Sequence, residues 1–204
     1  MGIISTITNK RVITKLYRVL VTPLGADDVK GADTYALDNI VADSTSISQD
    51  DPDRQEIACE TRDENIYEAI TLGKYNFTCD NADWQDDLLT NVLGWTKDAS
   101  GVIVAPSSYK ETFAEIELQF DDPATYSTTA SQNKYRGSFV LPKVLLSSKA
   151  TMESLKTSTG NMTVAGTAYT GKVRKYDASQ GQGVEVAGVL APFYYSPGPI
   201  NHET

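Results

Sequence analysis

The chain's strongest chemical signature is Gly166-Thr167-Ala168-Tyr169-Thr170-Gly171-Lys172, which fits the G-x-x-x-x-G-K spacing of a phosphate-binding loop. Such a loop cradles phosphates on backbone N–H groups while its Lys reaches the outer phosphates. It also needs Ser or Thr next, to hold Mg2+, and a helix starting there. Here Val173 follows, and Arg174-Lys175-Tyr176 continues a β-type run. The expectation is therefore a hairpin with glycines at its bends. Gly181-Gln182-Gly183 is read as a turn, because no third glycine completes a dinucleotide fingerprint. The acidic doublets Asp27-Asp28, Asp50-Asp51, Asp86-Asp87 and Asp121-Asp122 could hold a metal or act as acid and base. No EF-hand spacing accompanies them. Three of the four lie in loop-like stretches, where solvated charge is the ordinary state.

The single histidine, His202, lies near the C-terminus. A catalytic imidazole must be held by a second group, and chain ends fray. Ser–His–Asp, Cys–His and multi-His metal chemistry are not expected. Cys59 and Cys79 each sit in a strand-like run. They are read as buried thiols acting as small hydrophobes, not as a disulfide framework. The expectation is a protein that is not an enzyme, with no catalytic residues, no cofactor and no metal.

The elements that would carry such groups are mostly strands. The chain has 204 residues and 40% hydrophobic composition, enough for one domain over 1–204 with a sizeable core. Strand-like runs cover 10–22, 34–41, 44–48, 54–61, 69–79, 109–120, 135–147, 149–157, 162–176 and 183–190, judged from β-branched and aromatic content and period-two alternation. One stretch is helical, over about 81–93. There Trp84, Leu88, Leu89, Val92 and Leu93 form a stripe, Asp80, Asn81 or Asp83 caps the start, and Gly94 ends it. Residues 21–43 form an acidic insertion, 121–133 a long polar loop, and 191–204 a Pro-rich tail expected to lie extended on a surface. The fold class is mainly β: an antiparallel β-barrel or sandwich with one flanking α-helix.

Charge narrows function further. The net charge is −9, which argues against a general nucleic-acid binder because phosphate neutralisation needs a Lys/Arg excess. No apolar run approaches a membrane span, and the N-terminal residues are not read as a signal peptide. The myristoylation-like pattern Met1-Gly2 with Thr6, and the sequons at Asn76 and Asn161, are short enough to arise by chance. Residues 21–98 carry eighteen acidic and five basic side chains, whereas 134–176 carry eight basic and one acidic. Either these segments interleave and their charges mix, or they form two faces of opposite sign that stack head to tail.

The order of elements between about 40 and 120 resembles the tail tube (major tail) proteins of tailed bacteriophages and, more distantly, the inner-tube proteins of contractile injection systems. The carrying stretches are Ser44-Thr45-Ser46-Ile47-Ser48, Arg54 to Thr61, Ala69 to Cys79, the helix ending Leu88-Leu89-Thr90-Asn91-Val92-Leu93-Gly94, and the alternating strand 109–120. The resemblance implies a structural virion protein that partners itself, six copies forming a ring, and other tail proteins. Rings stack into a tube through which DNA passes without specific binding, with no membrane involved. It implies a place in the virion tail, after assembly in the bacterial host cytoplasm. Glu111, Glu115, Glu117 and Gln119 are candidate channel-facing residues, since the opposite face of their strand (Thr112, Ala114, Ile116, Leu118, Phe120) is apolar. Solvent on an outer surface would give the same alternation. Asp121, Asp122, Tyr126, Gln132 and Asn133 are candidate inter-ring loop residues. The 21–43 insertion and the C-terminal tail match no part of the pattern. They leave open a neck, tail-terminator or tail-tip ring protein. A monomeric β-sandwich carbohydrate-binding or adhesion module, using Trp95 and scattered Tyr as stacking platforms, is a further alternative.

Overall fold

The computed structural model describes residues 15–58, 65–108, 110–121, 137–147, 161–177, 179, 182–198 and 200–201. The strands are β1 (Lys15–Leu24), β2 (Tyr35–Leu37), β3 (Ser46–Gln49), β4 (Asp53–Ala58), β5 (Asn65–Thr71) and β6 (Tyr75–Asn81). After the helix α1 (Asp86–Asn91) come β7 (Thr96–Lys97), β8 (Ile103–Val104), β9 (Phe113–Asp121) and β10 (Gly137–Leu146). The last are β11 (Met162–Tyr169), β12 (Gly171–Asp177), β13 (Gln182–Ala191) and β14 (Tyr194–Ser196). The protein is mainly β and antiparallel, as its alternation implies, with one α-helix among the described residues. Among the described residues, the main sheet runs β2-β1-β9-β10-β11-β6-β3, with β14 beside β10, and does not close into a barrel. Three further pairs, β4–β5, β7–β8 and β12–β13, stand outside it.

One face of this sheet is the hydrophobic core. Val19 and Val21, Ala114, Ile116 and Leu118, Leu141, Val144 and Leu146, Val164 and Ala168, and Phe77 and Cys79 line it, and Leu88, Leu89, Val92 and Leu93 cover it from α1 and the turn after it. The period-two pattern of each strand sends these residues to one side. β10 changes partners along its length: residues 138–140 pair with β14, and residues 143–146 with β11. The switch sits at a register break between Leu141 and Val144. Pro142 falls there, where its missing N–H leaves no gap in a regular ladder.

Three boundaries differ from the sequence reading. The helix spans six residues, not thirteen, because Asp80 and Asn81 are drawn into β6 by pairing with Thr163 and Met162. Gln85 takes the N-cap position without a capping side-chain bond, and its Nε2 donates to the Ala36 carbonyl. Trp84 leaves the apolar stripe and is 38% exposed, while Trp95 packs against the core with its ring edge-on to Trp84. The helix stops at Asn91 with Val92 as its C-cap, and Gly94, at φ +76°, lies in the turn that follows. The run 69–79 breaks at Leu72–Lys74 into β5 and β6, and the run 162–176 breaks at Thr170 into β11 and β12. Gly166 lies inside β11 rather than at a bend, paired with Phe77 and Leu146. The run 149–157, Cys59 and His202 lie outside the described residues.

The acidic and basic segments interleave. β6, from the acidic stretch, pairs with β11, from the basic one, and Lys143 bridges Asp28 at 2.7 Å.

Cys79 is a free, fully buried thiol, with the Thr45 hydroxyl 3.4 Å from its Sγ. Burial pushes it up to about 11 from an ordinary 9.0, with Asp80 adding in the same direction. Between those values the unfolded thiol ionises and the folded one does not. Stability is therefore expected to fall by about 2–3 kcal/mol as pH rises through that window. Urea denaturation at pH 8.5 and 11, for wild type and Cys79→Ala, checks this. The loss should shrink in the variant, and equal losses would remove Cys79 as its source.

Candidate functional site

The second face of β9 is where the structure concentrates polar chemistry. Glu115, Glu117 and Gln119 alternate with the core residues and point away from them. β1 places Thr22 opposite Glu115 and Leu20 opposite Glu117, and β10 places Ser138 opposite Gln119. This face is covered, not open: Glu115, Glu117, Gln119, Ser138, Ile200 and Asn201 are all buried. The cover comes from the C-terminal segment beyond β14 and from β12.

Glu117 grips that segment. The backbone N–H of Ile200 donates to its Oε1 at 2.8 Å and that of Asn201 to its Oε2 at 2.7 Å. The Ser138 hydroxyl and Gln119 Nε2 donate to the same Oε1. Arg18 Nε in turn donates to Gln119 Oε1 at 2.7 Å. The Ile200 carbonyl accepts from the Gly183 N–H at 3.2 Å, tying the segment to β13 as well.

Glu115 is the centre of an ionic group. Its Oε2 pairs with Arg174 Nη2. Its Oε1 accepts from Asn201 Nδ2 at 2.7 Å and lies 4.0 Å from Lys30 Nζ. Lys30 Nζ also contacts Asn201 Oδ1, which Arg174 Nη1 approaches at 3.4 Å. Burial pushes the Glu115 carboxyl above the usual range, against the pull of Arg174, Lys30 and Asn201. Burial lowers Lys30, against the pull of Glu115. It also raises Tyr194, whose hydroxyl accepts from the Arg174 backbone N–H at 3.2 Å. A cavity of about 320 Å³ opens beside this group, lined in part by Lys30, Arg174, Lys172, Glu185 and Ile200.

All four carboxylate oxygens of the pair are met by donors of the chain itself. Buried charges persist only when paired and hydrogen-bonded, and here that pairing seats the C-terminal segment. An outside substrate would have to displace it.

The structure corrects the channel assignment made from alternation. Glu115, Glu117 and Gln119 are interior residues, whereas Glu111, just before β9, is exposed. The alternation was real, but both faces of β9 are covered, one by α1 and the other by the C-terminal segment. Of the inter-ring candidates, Asp121 ends β9; Asp122, Tyr126, Gln132 and Asn133 lie outside the described residues. The tail expected to lie on a surface is instead paired to β10 and buried at Ile200 and Asn201. The sequence reading missed Lys30, Arg174, Ser138 and Asn201. Their partners are 27 to 171 residues away in sequence for Lys30, Arg174 and Asn201, beyond what any local pattern reports. Lys172, the would-be phosphate lysine, lies in β12, 3.5 Å from Glu185.

Among the described residues, no group of three or more His, Cys, Asp or Glu could hold a metal ion, and no helix is long and apolar enough to cross a membrane. No family model matches the chain, and no curated protein matches it. Among solved structures, it is similar to a chain of the cryo-EM structure of the anti-feeding prophage (AFP) baseplate, 6-fold symmetrised. The identity is 10% and the TM-score 0.36, over 76% of this chain and 90% of that one. A TM-score of that size does not define a common fold.

Proposed function

We propose that the chain is a non-enzymatic structural subunit of a phage-tail-type particle, forming rings, most simply hexameric, that stack into a tube conducting DNA. The observation that carries this reading is the set of hairpins outside the main sheet. Among the described residues, β4 and β5 pair only with each other, and β13 pairs only with β12. A lone two-stranded hairpin is marginal in water. β13 also exposes Val184, Val189 and Leu190, the last 62% exposed. An apolar strand with an open edge is a template for pairing with another chain. Neighbouring copies of the subunit supply the missing surface.

The order of elements from β3 to β9, on which the sequence resemblance rests, is compatible with such a subunit. The acidic balance keeps passing DNA from sticking. The buried carboxylate pair fits a structural role, since its acceptors are already occupied.

Mass photometry and negative-stain microscopy across concentration and salt test the proposal. Rings or tubes are expected, and Leu190→Lys with Val189→Lys should leave folded monomers by circular dichroism. A strictly monomeric wild type under all conditions overturns it.

A further inference from the structure

Lys30, Asn201 and Glu115 form a group whose chemistry reaches beyond hydrogen bonding. An amine, a carboxamide and a buried carboxyl are in mutual contact, sealed from bulk water on the β9 side. Lys30 Nζ touches the Asn201 carboxamide at Oδ1. The carboxamide's Nδ2 donates to Glu115 Oε1 at 2.7 Å. The same Oε1 lies 4.0 Å from Lys30 Nζ, so one oxygen faces both the attacking and the departing nitrogen. Arg174 Nη1, 3.4 Å from Oδ1, stands where negative charge would develop on the amide oxygen.

We propose that Lys30 and Asn201 join in an intramolecular isopeptide bond, with Glu115 as the catalytic proton carrier. Lys30 Nζ gives a proton to the Glu115 carboxylate and attacks Cγ of Asn201, forming the Nζ–Cγ bond. The electron pair of the carbonyl moves to Oδ1, facing Arg174. Glu115 hands its proton to Nδ2 and takes one from Nζ. The carbonyl re-forms, the Cγ–Nδ2 bond breaks, and ammonia leaves, taking up the Glu115 proton as ammonium. No oxidant, metal or second substrate enters. The reaction is a single self-modification, not turnover.

The surroundings favour these steps. A general base must be within reach of the proton it moves: Glu115 Oε1 already meets Asn201 Nδ2 at 2.7 Å, and Lys30 Nζ has to close about 1 Å from its 4.0 Å for the first transfer, while a held near-attack geometry lowers the entropic barrier. Burial pushes Lys30 toward the free amine and Glu115 toward the neutral acid, which are the forms the transfer needs. Glu117 fixes the reacting residue by binding the backbone N–H of Asn201. The cavity lined by Lys30, Arg174 and Ile200 gives ammonia a way out. Lys30 belongs to the 21–43 segment and Asn201 to the C-terminal tail. These are the two parts that the family resemblance leaves unplaced, and the bond would tie them together across 171 residues.

Intact-mass spectrometry of the purified full chain reads the bond directly, in monomers or in assemblies. Wild type is expected to be lighter than its sequence by one ammonia, with a branched proteolytic peptide containing both Lys30 and Asn201. Lys30→Arg, which keeps the charge and the polar contacts, should restore the full mass and lose the branched peptide. Glu115→Gln should do the same. Wild type at full mass, folded by circular dichroism and incubated for days at pH 7.5, overturns the proposal. So does ammonia loss without the branched peptide, which marks cyclisation at an Asn instead. A normal yield of branched peptide from Glu115→Gln overturns the role of Glu115.

Discussion

Replacing Glu117 with Ala is expected to cost about 3–5 kcal/mol of folding stability, because several buried donors lose their acceptor at roughly 1–3 kcal/mol each. The reason is what the substitution leaves behind. The backbone N–H groups of Ile200 and Asn201 and the Ser138 hydroxyl all lose their acceptor inside the protein. Each buried unsatisfied donor costs roughly 1–3 kcal/mol, and the terms overlap because the segment can lift away and meet water. Glu117→Gln keeps one carbonyl acceptor but turns an NH2 toward a donor, so about half that loss is expected. The measurement is urea denaturation, made in a Lys30→Arg background so that no covalent bond from Lys30 can hold the tail. Limited proteolysis should then clip the tail beyond Tyr195 faster in Glu117→Ala. A change within about 0.5 kcal/mol, the level of an ordinary surface substitution, would mean that the C-terminal segment is not seated on Glu117.

The same residue shows how far the sequence could be read. Alternation along 113–120 correctly placed Ala114, Ile116, Leu118 and Phe120 on one side of a strand and Glu115, Glu117 and Gln119 on the other. Alternation reports that two faces differ; it does not report what covers each. A charged row is ordinarily solvated, so alternation alone points the polar face to water or to a channel. The cover is Ile200-Asn201, reached through contacts spanning more than eighty residues. The tail gave a second misleading signal. Its prolines suggested an extended surface strap, and Tyr194–Ser196 is indeed extended, but as a strand beside β10. The helix was legible in the stripe Leu88, Leu89, Val92 and Leu93, while its exact start and end were not. Asp80 and Asn81 are good capping residues, yet pairing with β11 outweighs capping there. Cys79 matched its expectation of a buried thiol because its place on the Tyr75–Phe77–Cys79 parity was local information.

Gly166→Ala is expected to be the most damaging single methyl in the chain's glycine-rich motif, at roughly 3 kcal/mol, within or slightly above the usual range for overpacking. The added Cβ would lie 2.5 Å from the Leu145 carbonyl oxygen and 2.6 Å from Val144 Cγ1. Backbone in the middle of a sheet cannot rotate aside as a surface side chain can. β11 is paired on both edges at this point, to Leu146 and to Phe77, so any shift disturbs two ladders. For a chain of this size that loss lowers the thermal midpoint by roughly 10 °C. Lys172→Ala supplies the contrast. Its bridge to Glu185 is exposed on both sides, and exposed pairs contribute about 0–1 kcal/mol. Thermal unfolding of the two variants therefore separates the readings of Gly166–Lys172. A phosphate-binding loop loses its ligand when Lys172 is removed and so shows a nucleotide-dependent shift that the variant abolishes. A strand-packing glycine shows a large loss at Gly166, almost none at Lys172, and no response of either protein to Mg2+ and ATP. The second pattern is expected here, because β12 continues as a strand where a phosphate loop would need a helix to begin.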